Sequence, residues 1–266
     1  MRTRVAAARQ WTGNGLEAFR RGRVGEARKY FNKASTQLPE DQDIIANVAR
    51  THFHEGQYQN AISELNRAIE LDNADAALMV ELGEYLLADG QVQAASEQAR
   101  KALDENHRLP CAWLLSGRVH AASGNERAAL GDFQKAVGID PAREDIQLEV
   151  VRGYRRLGDP LRALSAVENI LEKYPLHQQP TSALIEKSHA LVQLNRTGTA
   201  VQTLNEAVTH GNDSQEVHLA LANIDPRHTP HGFEKPQISS VRPQQKADTG
   251  FVDGRFALRQ NETLKH

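Results

Sequence analysis

The amino-acid sequence predicts an all-α fold, a solenoid of about six helix-turn-helix repeats, each 34 residues long. Two columns of residues carry the reading. Alanines stand at Ala27, Ala61, Ala95, Ala129 and Ala163, each 34 after the last. Glycines keep the same interval at Gly22, Gly56, Gly90, Gly124 and Gly158. Composition agrees: only 5% of residues are aromatic against 39% hydrophobic, with alanine filling much of the apolar share. Small side chains suit close helix packing better than a sheet, which favours β-branched and aromatic residues.

Each repeat reads as two amphipathic helices. In the fourth copy, residues 112–122 carry apolar side chains at helical spacing, Ser123-Gly124-Asn125 breaks the run, and 128–137 forms the second helix. Gly124 stands where the first helix ends, a left-handed position that glycine adopts cheaply and asparagine tolerates. A second alanine column, Ala34, Ala68, Ala102 and Ala136, lies seven residues after the first, two turns along one helix face. Ile170 continues it. Asp140-Pro141 stops the second helix and opens the next copy.

The copies run over residues 8–41, 42–75, 76–109, 110–143, 144–177 and 181–214. The sixth, with Asn195, Ala200 and Ala207 in register, is displaced by 37 rather than 34. Its three extra residues fall around Gln178-Gln179-Pro180, a connection that tolerates insertion. An amphipathic piece at 215–224 follows, in which Val217, Leu219, Ala220 and Leu221 are placed to cover the last apolar face. A solenoid end needs such a cap with a polar outer side. The expected solenoid therefore spans 8–225.

Residues 226–266 differ in character. They hold four of the ten prolines and no helical period, with seven basic residues against four acidic ones. This is the composition of a disordered tail. An apolar island at 251–258 is either inconsequential or a short docking motif.

Trp113, Gly117, Gly124, Ala129, Phe133, Ala136 and Pro141 together resemble the tetratricopeptide signature. Trp11, Gly15, Ala27, Phe31, Ala34 and Pro39 repeat it, and the resemblance extends over residues 8–214. It weakens at Val151 and Ile170, and again at Lys187 and Ser188. It implies a right-handed superhelix of helix pairs whose concave face holds peptides or partner domains.

In that family the first helix of each pair lines the concave face. The inward columns are then Asn47, Glu81, Leu115, Glu149 and Glu186, followed by Arg50, Glu84, Arg118, Arg152 and His189. The last is Arg20, His54, Ala88, Ala122 and Arg156. Leu114 and Leu115 are expected to form an apolar floor midway. Arg50, Arg118 and Arg152 share one column and read as a ladder able to grip carboxylates or carbonyls, broken by Glu84. On a solvated face, substitution at Arg50 or Arg118 is expected to change stability by only about 0.5 kcal/mol.

The remaining chemistry is bounded by exclusion. A net charge of −2 gives no basic excess for nucleic-acid binding. One cysteine, Cys111, allows neither an internal disulfide nor a cysteine metal cluster. Gly13-Asn14-Gly15-Leu16-Glu17-Ala18 fits a loose dinucleotide pattern but falls within a repeat's first helix, without the strand that pattern needs. His52 and His54 point to different helix faces, and His228 and His231 have no third ligand nearby. Sequons at Asn195, Asn212 and Asn261 have no secretory signal beside them. No stretch approaches the ~18 apolar residues of a membrane span. The expectation is a cytoplasmic, non-catalytic protein with no cofactor, metal or membrane insertion, whose partner is a protein or peptide.

One partner class is disfavoured. Family members that clamp the acidic carboxyl terminus of heat-shock chaperones carry a set of lysine, asparagine and arginine of which only Asn47 is matched. Where the third-copy lysine belongs stand Ala77, Cys111, Asp145 or Ser182. A scaffold or adaptor leads. A chaperone or secretion factor cradling client segments and a regulatory subunit of an enzyme are the alternatives.

Overall fold

The computed structural model describes residues 2–224, with 73, 74 and 212 left out; the tail and its island at 251–258 lie outside the described residues. Among the described residues there are thirteen α-helices and no strand. They are α1 (Arg2–Arg20), α2 (Val24–Gln37), α3 (Gln42–His54), α4 (Tyr58–Leu71), α5 (Ala76–Ala88), α6 (Val92–Glu105) and α7 (Pro110–Ala122). Then follow α8 (Glu126–Ile139), α9 (Glu144–Arg156), α10 (Pro160–Leu171), α11 (Thr181–Gln193), α12 (Thr197–Thr209) and α13 (Gln215–Ile224). The chain divides into two compact units, the first ending at Ser123 and the second beginning at Gly124.

The turns follow the glycine column. Gly22, Gly56, Gly90, Gly124 and Gly158 have φ between +71° and +81°, and Asn195 takes the same role at +59°. At the α3–α4 turn the Gln57 amide donates to the His52 carbonyl (2.9 Å) and the Gly56 amide to Phe53 (3.0 Å), closing the helix end. Asp41 and Asp75 cap α3 and α5 by accepting backbone N–H groups. Pro110 and Pro160 occupy first turns, where no amide donor is missed. Pro141 differs from expectation: it lies in the turn between α8 and α9, ahead of the α9 cap at Arg143.

In the first unit, Ala27, Ala34, Ala61, Ala68, Ala95 and Ala102 are fully buried, so the two alanine columns are packing positions. Glycine inside a helix has its own reason here. A Cβ on Gly15 would come within 2.5 Å of the Phe31 ring, and one on Gly83 within 2.4 Å of Leu115. Backbone and large side chain meet there with no room for a methyl group. In this unit α1 is 19 residues long and begins well ahead of the first repeat's expected start at residue 8.

In the second unit, Val151, Ala163, Val167 and Ile170 pack with Leu184, Ala190 and Ala207. The inserted residues follow a short 3-10 turn, Leu176–Gln178, and lead into α11, which Pro180 precedes. The buried Ser188 is satisfied by donating to the Ile185 carbonyl at 2.7 Å. On α13, Val217, Ala220 and Leu221 are buried with Leu204, while Leu219 points outward, contrary to the sequence pattern.

Candidate protein-interaction site

In each unit the first helices of the pairs build one face. In the first unit these are α1, α3, α5 and α7. The arginine at the ninth residue of α3, α7 and α9 reaches a carboxylate on the first helix of the adjacent repeat. Arg50 on α3 places its guanidinium edge-on against Glu81 of α5: Nε donates to Oε1 and Nη2 to Oε2, both at 2.8 Å. Its Nη1 donates to Asn47 Oδ1 at 2.8 Å, and Tyr85 Oη donates to Glu81 Oε1 at 2.7 Å. Glu81 is only 5% exposed. Burial alone would lower the Arg50 pKa, but the charge and hydrogen bonds of Glu81 outweigh it and hold the guanidinium above its ordinary value.

One repeat further, Arg118 Nη1 on α7 meets Glu84 Oε1 on α5 at 3.0 Å. Glu84 is therefore not a break in an arginine row. It is the counter-ion of Arg118.

The second unit repeats the device on α9 and α11. The buried Glu186 accepts from Arg152 Nε (2.8 Å) and Arg155 Nε (2.9 Å). Arg152 Nη1 also donates to Glu149, itself buried, at 3.1 Å. Burial by itself would raise the Glu186 pKa; His189, Arg155 and Arg152 more than reverse it, to about 2. We attribute most of the lowering to the two arginines, because His189 Nδ1 stands 3.9 Å away, beyond hydrogen-bond length. Arg156 lies at the α9 end of this face, 3.7 Å from Glu126.

Leu114 and Leu115 require a correction. Both are fully buried, so they are core rather than an apolar floor. Leu115 fills the space above Gly83, and a side chain committed to that contact has none left for a ligand. Arg50, Arg118 and Arg152 require another: their forks are engaged by carboxylates of the protein itself, which the expectation of solvent-facing charges did not include. The part of Arg155 and Tyr85 was also missed. The signal was present as opposite charges about one repeat apart, since Glu84 and Arg118, like Arg152 and Glu186, are separated by 34 residues. Among the described residues no group of three or more His, Cys, Asp or Glu side chains is placed to hold a metal ion. No described helix is long and apolar enough to cross a membrane.

Helix pairs at a 34-residue period, closed by left-handed glycines and packed through alanine columns, define a helical-repeat protein. Models of the tetratricopeptide repeat match residues 18–78 and 80–144. The chain belongs to the tetratricopeptide repeat proteins. Among similar curated proteins is the BBSome complex member BBS4 of Bos taurus, 25% identical over 154 residues, which is 58% of this chain and 30% of that one. DnaJ homolog subfamily C member 7 of Homo sapiens is 22% identical over 210 residues, 74% of this chain and 42% of that one. The chain thus spans less than half the length of these relatives. The solved structure of PilF from Pseudomonas aeruginosa matches with a TM-score of 0.65 at 17% identity, covering 85% of this chain and 99% of that one. That likeness is one of fold.

Proposed function

We propose that this chain is a cytoplasmic, non-catalytic scaffold or adaptor that holds a partner polypeptide against the face of its first helices. Tetratricopeptide repeats mediate protein–protein interaction, and this supplies the class. The observation that carries the reading is the series of guanidinium–carboxylate clasps, Arg50–Glu81, Arg118–Glu84 and Arg152–Glu186. Each joins successive first helices and fixes the side chains before a partner arrives, so little rotamer entropy is lost on binding.

The clasps also narrow the partner. Because the arginines already hold carboxylates, a uniformly acidic peptide would have to displace buried glutamates and leave them unpaired, which is strongly unfavourable. A segment offering backbone carbonyls and charges of both signs fits such a face. Arg118 and Arg152 each keep 23% of the side chain exposed and supply the contact edges.

The test is an affinity capture with mass spectrometry, comparing wild type, Arg118→Ala and Arg100→Ala. Arg100 is exposed on α6 and pairs with Asp104 of its own helix. A partner held by wild type and Arg100→Ala but lost with Arg118→Ala supports the reading; one retained by Arg118→Ala contradicts it.

A further inference from the structure

Beyond the first-helix face, the second unit carries an apolar edge that the repeat columns expose. Leu157 ends α9 and Leu161 enters α10, across the Gly158-Asp159-Pro160 turn. Leu161 is 64% exposed and Leu157 38% exposed. The same two repeat positions hold Arg21, Glu55, Asp89 and Ser123, and Gly25, Gln59, Gln93 and Arg127, in the first four copies. Polar or small residues serve this turn in the first four copies, so the repeat does not require leucine here; the sixth copy has Leu194 at the first position and Gly198 at the second.

The neighbouring turn is drawn to the same edge. Gln193, the last residue of α11, donates from Nε2 to the Arg155 backbone carbonyl at 3.4 Å. This joins the end of α11 to the last turn of α9, and the next residue, Leu194, is half-buried. Each of the three leucines has an arginine beside it in sequence, Arg156 before Leu157, Arg162 after Leu161 and Arg196 two residues after Leu194. Arg156 and Arg162 stand at the α9–α10 turn, the latter 72% exposed, and Arg196 caps the exposed start of α12. Two of these arginines have acidic partners, Glu126 3.7 Å from Arg156 and Asp159 3.3 Å from Arg162. Arginine outnumbers acid around an apolar centre, an arrangement of hydrophobic core and charged rim that suits a binding patch.

The geometry points to a second interaction surface on this edge, adjoining the first-helix face at Arg156, that takes an acidic amphipathic segment of a partner protein. The leucines bury the partner's apolar residues, and Arg156, Arg162 and Arg196 meet its carboxylates. Charge complementarity selects this occupant: a basic segment would meet the arginine rim, where like charges oppose encounter.

The probe is a fluorescein-labelled synthetic peptide with leucine at helical spacing and glutamate elsewhere, beside its counterpart with lysine in place of glutamate. Anisotropy is read against the full-length chain and the variants Leu161→Glu, Arg196→Glu and Arg118→Ala. Leu161 and Arg196 are exposed, so their variants keep the fold, and circular dichroism checks this. The acidic peptide is expected to bind wild type and Arg118→Ala alike, to weaken by at least about tenfold on Leu161→Glu, and to weaken with salt. Equal binding to Leu161→Glu, or equal binding of the lysine peptide, would overturn the assignment. So would self-association of wild type, seen by light scattering and abolished in Leu161→Glu, which would make a second copy of the chain the occupant.

Discussion

Arg50 and Glu81, on first helices of successive repeats, close a two-point fork with both bonds at 2.8 Å around a carboxylate that solvent hardly reaches. The pair sits on the face expected to bind a partner, yet its geometry is that of a structural clasp. This relationship separates two roles that residue type alone leaves merged.

The first expectation follows from it. Arg50→Ala leaves Glu81 buried without its counter-charge and should destabilise by about 3–5 kcal/mol, not the ~0.5 kcal/mol of a surface site. Urea denaturation of Arg50→Ala beside Arg100→Ala checks this. A small, equal change in both would show that the clasp contributes nothing.

Glu186 makes the second expectation one of pH. Its folded pKa lies near 2, below the ordinary 4.5, so its ionised form contributes stability that is complete above about pH 5. That stability is lost as pH falls through the folded value. The difference corresponds to about 3 kcal/mol. Between pH 6 and pH 3, in rough terms, wild type should lose more stability than Glu186→Gln, which starts lower and stays flatter. Parallel curves would assign the acid sensitivity to other carboxylates.

Packing supplies the third. Ala95 and Ala129 are fully buried, and replacing either with leucine overfills a closed site at a cost of about 1–3 kcal/mol. Gly15→Ala gives the sharper case, because two effects oppose each other. Alanine gains about 1 kcal/mol of helix propensity over glycine, but its methyl would sit 2.5 Å from the buried Phe31 ring. The clash should win and the thermal midpoint should fall. A rise would show that Phe31 moves aside freely.

Much of this was legible in the sequence because repeats multiply each signal. One Gly22 is ambiguous, whereas five glycines 34 apart, with Asn195 in the sixth place, announce left-handed turns. Side-chain partnership was harder to read. Leu114 and Leu115 fall within two adjacent columns of the first helix, and periodicity does not say how much of each column the next repeat covers. Arg118 and Glu84 read as a ladder rung and its interruption when each is taken with its own helix face alone. Their pairing is a contact between repeats, visible once charges of opposite sign are compared one period apart. Leu219 was misplaced for a related reason: α13 packs along a narrower stripe than its run of apolar residues suggests.

The most direct measurement of the central claim is a hydrogen-exchange footprint of the captured partner on the full chain. Bound partner is expected to slow exchange in α3, α5 and α7 and in α9 and α11, the helices that carry Arg50, Glu81, Arg118, Arg152 and Glu186. The second helices α4, α6, α8 and α10 should be unchanged. Protection confined to those second helices, with the first helices exchanging as in the unbound protein, would contradict it.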